Sequence, residues 1–177
     1  MKINTYNNFE EMLEKEQNAV IRERLNDFYL YELNADTRVI DFNSSKKERQ
    51  LQLRGVDVIL TKRDDGKSFK VQEKITYKAY PSLLFEIEKA SGKAGWAIDE
   101  NELSNILIYY VDGTIYAIDF KELREYLNNE LLFNNLEIIE TDNKNVKVPI
   151  KDLKKNVKMI KYEFVDDFNG YERKLVY

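Results

Sequence analysis

The stretch that decides the fold is residues 54–75. It opens with Arg54-Gly55-Val56-Asp57-Val58-Ile59-Leu60, continues with TKRDDGKS over residues 61–68, and closes with Phe69-Lys70-Val71-Gln72-Glu73-Lys74-Ile75. The first run is β-rich. Asp65-Gly66 in the middle run is the strongest hairpin signal in the chain. The third run alternates apolar and polar residues as a half-buried strand does. Side chains alternate along a strand, so Gly55, Asp57 and Ile59 share one face. On the partner strand Lys70, Gln72 and Lys74 share the face opposite Phe69, Val71, Glu73 and Ile75. The spacing predicts that Asp57, Gln72 and Lys74 gather at one edge of the hairpin. An acid and an amide oxygen are hard ligands suited to Mg²⁺. A lysine beside them can orient a water or stabilise charge growing on a phosphate. The plainer alternative is an Asp at a strand edge and lysines on a solvated face.

Working outward, residues 9–33 read as a long helix. Phe9, Met12, Leu13, Val20, Ile21, Leu25, Phe28 and Tyr29 recur at spacings of three and four. Asn7 and Asn8 are its candidate N-caps, and Asn34 with Asp36 its stop. The polar stretch Asn43 to Gln50, with Lys46, Lys47 and Arg49, reads as a loop or a partly ordered segment. Beyond the hairpin, Leu83 to Ile87 is a third strand. Residues 106–111 and 114–118 flank Asp112-Gly113, a second hairpin. Asp119 caps a helix over 120–132, with Leu123, Tyr126 and Leu127 on one face. A short strand near Val146–Val148 precedes a helix opened by Pro149. Strands near 159–164 and 173–176 complete an α/β mixture with a largely antiparallel central sheet. With two prolines, six glycines and no linker or repeat, the 177 residues are expected to form a single domain.

Composition narrows the chemistry. The chain has no Cys and no His. That excludes disulfides, zinc–thiolate sites, Ser–His–Asp triads and any His general base. Carboxylates, Lys, Tyr, backbone groups and a hard metal ion remain. Hydrophobic residues make up 43% and charged residues 34%, a globular composition. No apolar run approaches the ~18 residues of a membrane span, and the N-terminus has no signal-peptide core. The expectation is a cytoplasmic protein without a membrane partner.

The formal charge of −4 counts against a protein that coats nucleic acid, until it is resolved along the chain. Residues 144–161 read KNVKVPIKDLKKNVKMIK and carry net +6, leaving −10 for the other 159 residues. Ile150, Leu153 and Val157 recur at helical spacing. Lys151, Lys154, Lys155 and Lys158 fall on a different face. A packed apolar side with a lysine ridge outside it suits phosphate-backbone contact. A solvated helix face beside an acidic body is the alternative.

Gly55-Val56-Asp57, the Asp-Gly hairpin and Val71-Gln72-Glu73-Lys74 resemble the core of the PD-(D/E)XK nuclease superfamily, the restriction-endonuclease-like fold. Gln52-x-x-Gly55-Val56-Asp57 resembles the entry strand of phage and bacterial members. Ser82-Leu83-Leu84-Phe85-Glu86 resembles the third core strand, and Gly95-Trp96 the Gly-Trp pair after it. Asn105-Ile106-Leu107-Ile108-Tyr109-Tyr110 and Leu123-Arg124 resemble the next strand and helix. The resemblance covers roughly residues 50–127, in family order. It departs from the family at Gln72, where the second acid usually stands, and at Asn105, where a strand Asp is usual. Glu73 cannot substitute, because neighbouring strand residues point to opposite faces.

The resemblance implies a central mixed, mostly antiparallel sheet flanked by helices, and a deoxyribonuclease dependent on Mg²⁺ or Mn²⁺. Asp57, Gln72 and Glu86 would ligate the metal. Lys74 would position the attacking water or stabilise the transition state. Glu10, Glu14 or Glu23 of the N-terminal helix would be a further acid. Tyr77, Tyr80 and Trp96 would either stack on bases or pack, and Lys78, Lys89 and Lys93 would either contact phosphate or face solvent. DNA is the implied partner, with duplex or branched DNA as the substrate class the resemblance implies, and members that cut two strands commonly form homodimers. The competing expectation is a catalytically degenerate nuclease-fold module that binds DNA or protein, such as a phage-encoded regulator or inhibitor.

Overall fold

The computed structural model describes residues 18–41, 43–77, 79–132, 135–167 and 170–176. The chain divides into two compact units, Met1–Arg38 with Leu60–Ser68, and Val39–Ile59 with Phe69–Tyr177.

In the first unit residues 18–27 are helical (α1), and the helix loosens into a π-helical turn over Phe28–Glu32. Ile21, Leu25, Phe28 and Tyr29 are buried, following the apolar period. Asn34 stops the helix with a positive φ of 48°, a conformation that Asn tolerates better than most residues. The part of the expected helix before residue 18, with Asn7, Asn8, Glu10 and Glu14, lies outside the described residues. Strand β1 (Ala35–Val39) follows directly, so Asp36 belongs to a strand. Arg63, beyond strand β2 (Val58–Lys62), pairs with Asp36, and its N–H donates to the Asn34 carbonyl.

The second unit holds a mixed sheet and a smaller antiparallel one. Strands β3 (Ser68–Thr76), β5 (Ile106–Val111), β6 (Thr114–Asp119), β9 (Met159–Asp167) and β10 (Gly170–Val176) lie side by side in that order. β3 and β5 run parallel, with Gln72 opposite Leu107 and Lys74 opposite Tyr109. The remaining pairs in this run are antiparallel. A parallel pair needs a long crossover, and here it carries strand β4 (Ser82–Glu88). β4 joins β8 (Lys144–Pro149) and β7 (Glu137–Glu140) in a three-stranded antiparallel sheet, order β4-β8-β7.

The local sequence explains these elements. β5 is almost wholly apolar because five of its six residues are buried, as a central strand requires. Asp112 and Gly113, with φ of 42° and 82°, form the two-residue turn to β6 that needs positive φ at both positions. Asp119 caps helix α3 (Phe120–Leu132), its Oδ1 accepting from the N–H groups of Lys121 and Glu122. Helix α4 (Ile150–Asn156) follows Pro149 and buries Leu153, with Val157 buried just after it. The core of this unit gathers Phe85, Leu107, Ile118, Phe120, Leu123, Leu127, Val146 and Leu153.

Two readings of the sequence are corrected. Asn43–Gln50 is a turn only over residues 43–45. Residues 46–52 form helix α2, capped by Ser45, whose Oγ accepts from the Glu48 N–H. The helix buries no residue, so it had no apolar period to betray it. β7 was also missed, because its EIIE sequence carries only two apolar residues.

Candidate functional site

Asp57 precedes β2, and its backbone N–H donates to the Val71 carbonyl at 2.9 Å. Its Oδ2 then accepts from the Glu73 N–H at 2.8 Å. A side chain thus stands where a strand carbonyl would, and the Asp57 carboxylate meets β3 at the Gln72–Glu73 peptide. Gln72 is 4% exposed, and its Oε1 is buried with no hydrogen-bond partner among the described residues. Two residues along the same face, the Lys74 ammonium sits 4.7 Å above the centre of the Trp96 ring.

Gly55 makes this arrangement possible. Its φ is +71°, and a Cβ placed there would overlap the Glu102 carboxylate and stand 3.4 Å from Gln72 Cδ. The absent side chain therefore leaves room for Gln72 and Glu102 to face the same point. Glu102 Oε2 is also buried without a partner. Burial pushes the Glu102 carboxyl above the usual range, with repulsion from Asp99 adding to it and Lys89, Arg124 and Lys74 opposing it. The loop is pinned from both sides. Leu103 N–H donates to the Arg54 carbonyl, and buried Ser104 donates through Oγ to the Gly55 carbonyl at 2.5 Å.

An aromatic pair joins the two cations of the cluster. Trp96 packs on Phe120 at 6.1 Å between ring centres, and the Arg124 guanidinium lies 4.1 Å over the Phe120 ring. Arg124 Nε and Nη2 are buried without hydrogen-bond partners among the described residues. A Cβ on Gly95 would strike the backbone of Glu86, so the Gly-Trp pair reflects close packing of this loop on β4. Trp96 also meets Phe85 at 6.0 Å, which places it in the packing role rather than free for bases.

Glu86 sits differently. Its Oε2 accepts from Asn143 Nδ2 at 2.6 Å and its Oε1 from the Trp96 N–H at 3.5 Å. The acid beside Gln72 is Glu102 instead. Asn105 Oδ1 accepts from the Lys70 N–H, joining the starts of β3 and β5. Tyr77 and Tyr80 are exposed, as are Lys93 and, in α1, Glu23. Lys78 lies outside the described residues. Lys151, Lys154, Lys155 and Lys158 are all exposed and enter none of the ion pairs among the described residues. Nothing in the spacing marked Glu102. Its place depends on a loop folding back over Gly55.

No family model, curated protein or solved structure matches the chain.

The cluster's donor set suits a hard cation. Two buried oxygens, Gln72 Oε1 and Glu102 Oε2, lack donors among the described residues, their side chains both come close to the space beside Gly55, and such oxygens are Mg²⁺ ligands. Among the described residues no group of three or more acids stands close enough to hold a metal alone. Any cation here would rely on the Gln72 amide. No helix among the described residues is long and apolar enough to cross a membrane.

Proposed function

We propose that this chain is a metal-dependent deoxyribonuclease of the restriction-endonuclease-like fold, hydrolysing DNA phosphodiester bonds. One observation carries the reading. The side chains of Gln72 and Glu102, each with a buried oxygen that lacks a partner among the described residues, both come close to Gly55, with Lys74 next along the strand face and Asp57 bonded to the Gln72–Glu73 peptide. Gln72 and Glu102 would hold Mg²⁺ or Mn²⁺, with Asp57 alongside. A bound divalent ion would supply Lewis-acid stabilisation of the phosphoryl oxygens.

The remaining chemistry belongs to the chain. Lys74 has an ammonium fixed by the Trp96 face, so it offers oriented N–H donors without a large reorganisation cost. Those donors would hold the attacking water or meet the charge that grows on the phosphate. Water attacks phosphorus in line and gives up one proton to solvent, the P–O bond opposite breaks, and the departing oxygen takes up a proton from solvent. Glu102 replaces Glu86 as the acid that offsets the Gln at position 72. The exposed lysines of α4 supply sequence-independent backbone contact.

The test is cleavage of supercoiled plasmid in Mg²⁺ or Mn²⁺ by wild type, Asp57→Ala and Lys74→Ala. The reading expects nicking by wild type and its loss in both variants. Cleavage that survives both substitutions overturns the site, and no cleavage by the wild type in either metal overturns the activity.

A further inference from the structure

A second feature lies beside the Gln72 cluster and is not part of it. Lys46, Lys47, Gln50 and Leu51 of α2, together with Arg54 and Leu103, line an open groove of about 510 Å³. Three cations and no acid face it. The floor is apolar, made by Leu51, Leu103 and the stems of the basic side chains.

Among the described residues Lys46, Lys47 and Arg54 enter none of the ion pairs. Glu48 is the acid of α2, and its carboxylate turns to the preceding loop, accepting from the Asp41 N–H and the Ser44 hydroxyl. Arg54 is held by one donor, Nε to the Asn101 carbonyl at 2.9 Å, which fixes its guanidinium plane. A guanidinium has five donors in a rigid fork suited to phosphate, and one is spent here. The groove and the cluster share two chain segments. Arg54 precedes Gly55, Leu103 follows Glu102, and the Leu103 N–H bonds the Arg54 carbonyl.

We propose that this groove seats a single-stranded nucleic acid, with phosphates on Lys46, Lys47 and Arg54 and a sugar–base unit on the Leu51–Leu103 floor. The three cations along the groove complement the phosphate backbone of a strand, the electrostatic part of single-strand binding. The inference rests on the reading of this protein as one that acts on DNA, and it adds where the strand enters.

The test is fluorescence anisotropy of a labelled oligothymidylate with the full chain in chelator, which prevents cleavage. The Lys46→Gln/Lys47→Gln/Arg54→Gln variant keeps the stems and removes three charges. It is expected to bind at least tenfold more weakly at low salt. The slope of log K against log salt should fall by about 2, from ~0.7 per lost phosphate contact on a single strand. Lys46→Arg/Lys47→Arg should retain binding, and a blunt duplex of equal length should bind less tightly than the single strand. The proposal is overturned if the triple variant, with unchanged circular dichroism and melting temperature, binds as wild type. It is equally overturned if polyglutamate displaces the oligonucleotide as well as unlabelled strand does. Groove-dependent binding without Mg²⁺-dependent cleavage would sustain the groove and remove the nuclease. Cleavage with groove-independent binding would do the reverse.

Discussion

Replacing Gln72 with Glu exchanges an amide for a carboxylate of the same shape, beside the carboxylate of Glu102. The two groups face one point, Gln72 Cδ at 3.4 Å from it and Glu102 in overlap with it. Taking the charges as about 5 Å apart in an effective dielectric of about 20, the repulsion is roughly 3 kcal/mol. That is a ceiling, because one carboxyl can keep its proton instead. In chelator at pH 8 the variant should melt about 6–12 °C below wild type, at ~2–4 °C per kcal/mol for a chain of this size. The sign with pH follows from linkage. Repulsion raises the folded-state pKa of the pair above its unfolded value. The deficit is therefore small below the unfolded pKa, grows as pH rises from there towards the raised folded one, and is fully present above it. Millimolar Mg²⁺ should close the gap, since a second carboxylate strengthens a hard-cation site. Thermal melts at pH 4 and pH 8, with and without Mg²⁺, read all of this. An equal deficit at both pH values would mean that packing, not charge, is responsible. No deficit in chelator at pH 8 would mean that the two side chains do not share a site.

Other consequences follow from the same geometry. Glu102→Gln removes a carboxyl whose pKa burial raises, so it should stabilise the fold at pH 8 relative to wild type and have no such effect at pH 4, as read by urea unfolding; a benefit that is larger at pH 4 contradicts the assignment. Ser104→Ala leaves the buried Gly55 carbonyl without its side-chain donor and should cost about 1–3 kcal/mol. A measured loss below about 0.5 kcal/mol would show that this bond does not hold the loop, since a lost buried hydrogen bond normally costs more. Trp96 is the one tryptophan of the chain, so the emission reports on its surroundings alone, Lys74 among them. Lys74→Met should shift that emission and exposed Lys93→Met should not; identical spectra for all three proteins would remove Lys74 from the ring.

Much of the second unit was legible because its signals are local. Asp112-Gly113 marked a turn that needs two positive φ angles, Asp119 marked a cap, and residues 69–75 marked a strand, although its burial does not alternate as expected, since Val71 and Gln72 are both buried and Ile75 is exposed. Helix α2 was not legible, since it is amphipathic in charge rather than in apolar content and buries nothing. The lysines that looked like a loop are instead one wall of a groove. The site was half legible. Asp57, Gln72 and Lys74 belong to one hairpin, where strand period places side chains. Glu102 lies thirty positions beyond Gln72 in an irregular loop, and only the missing side chain of Gly55 lets it approach. Glu86 was the natural candidate from strand order, and its hydrogen bonds to Asn143 and to the Trp96 backbone could not be read from spacing.

The central claim is that Gln72 and Glu102 form a hard-cation site beside Gly55. Crystals grown with Mn²⁺ test it most directly, because anomalous scattering locates that ion independently of the protein density. The account predicts a peak within bonding range of both Gln72 Oε1 and Glu102 Oε2, about 2.0–2.6 Å for a hard cation and oxygen. It also predicts that the peak vanishes in Glu102→Gln/Gln72→Leu. An Mn²⁺ peak away from both side chains, or none at millimolar Mn²⁺, would contradict it.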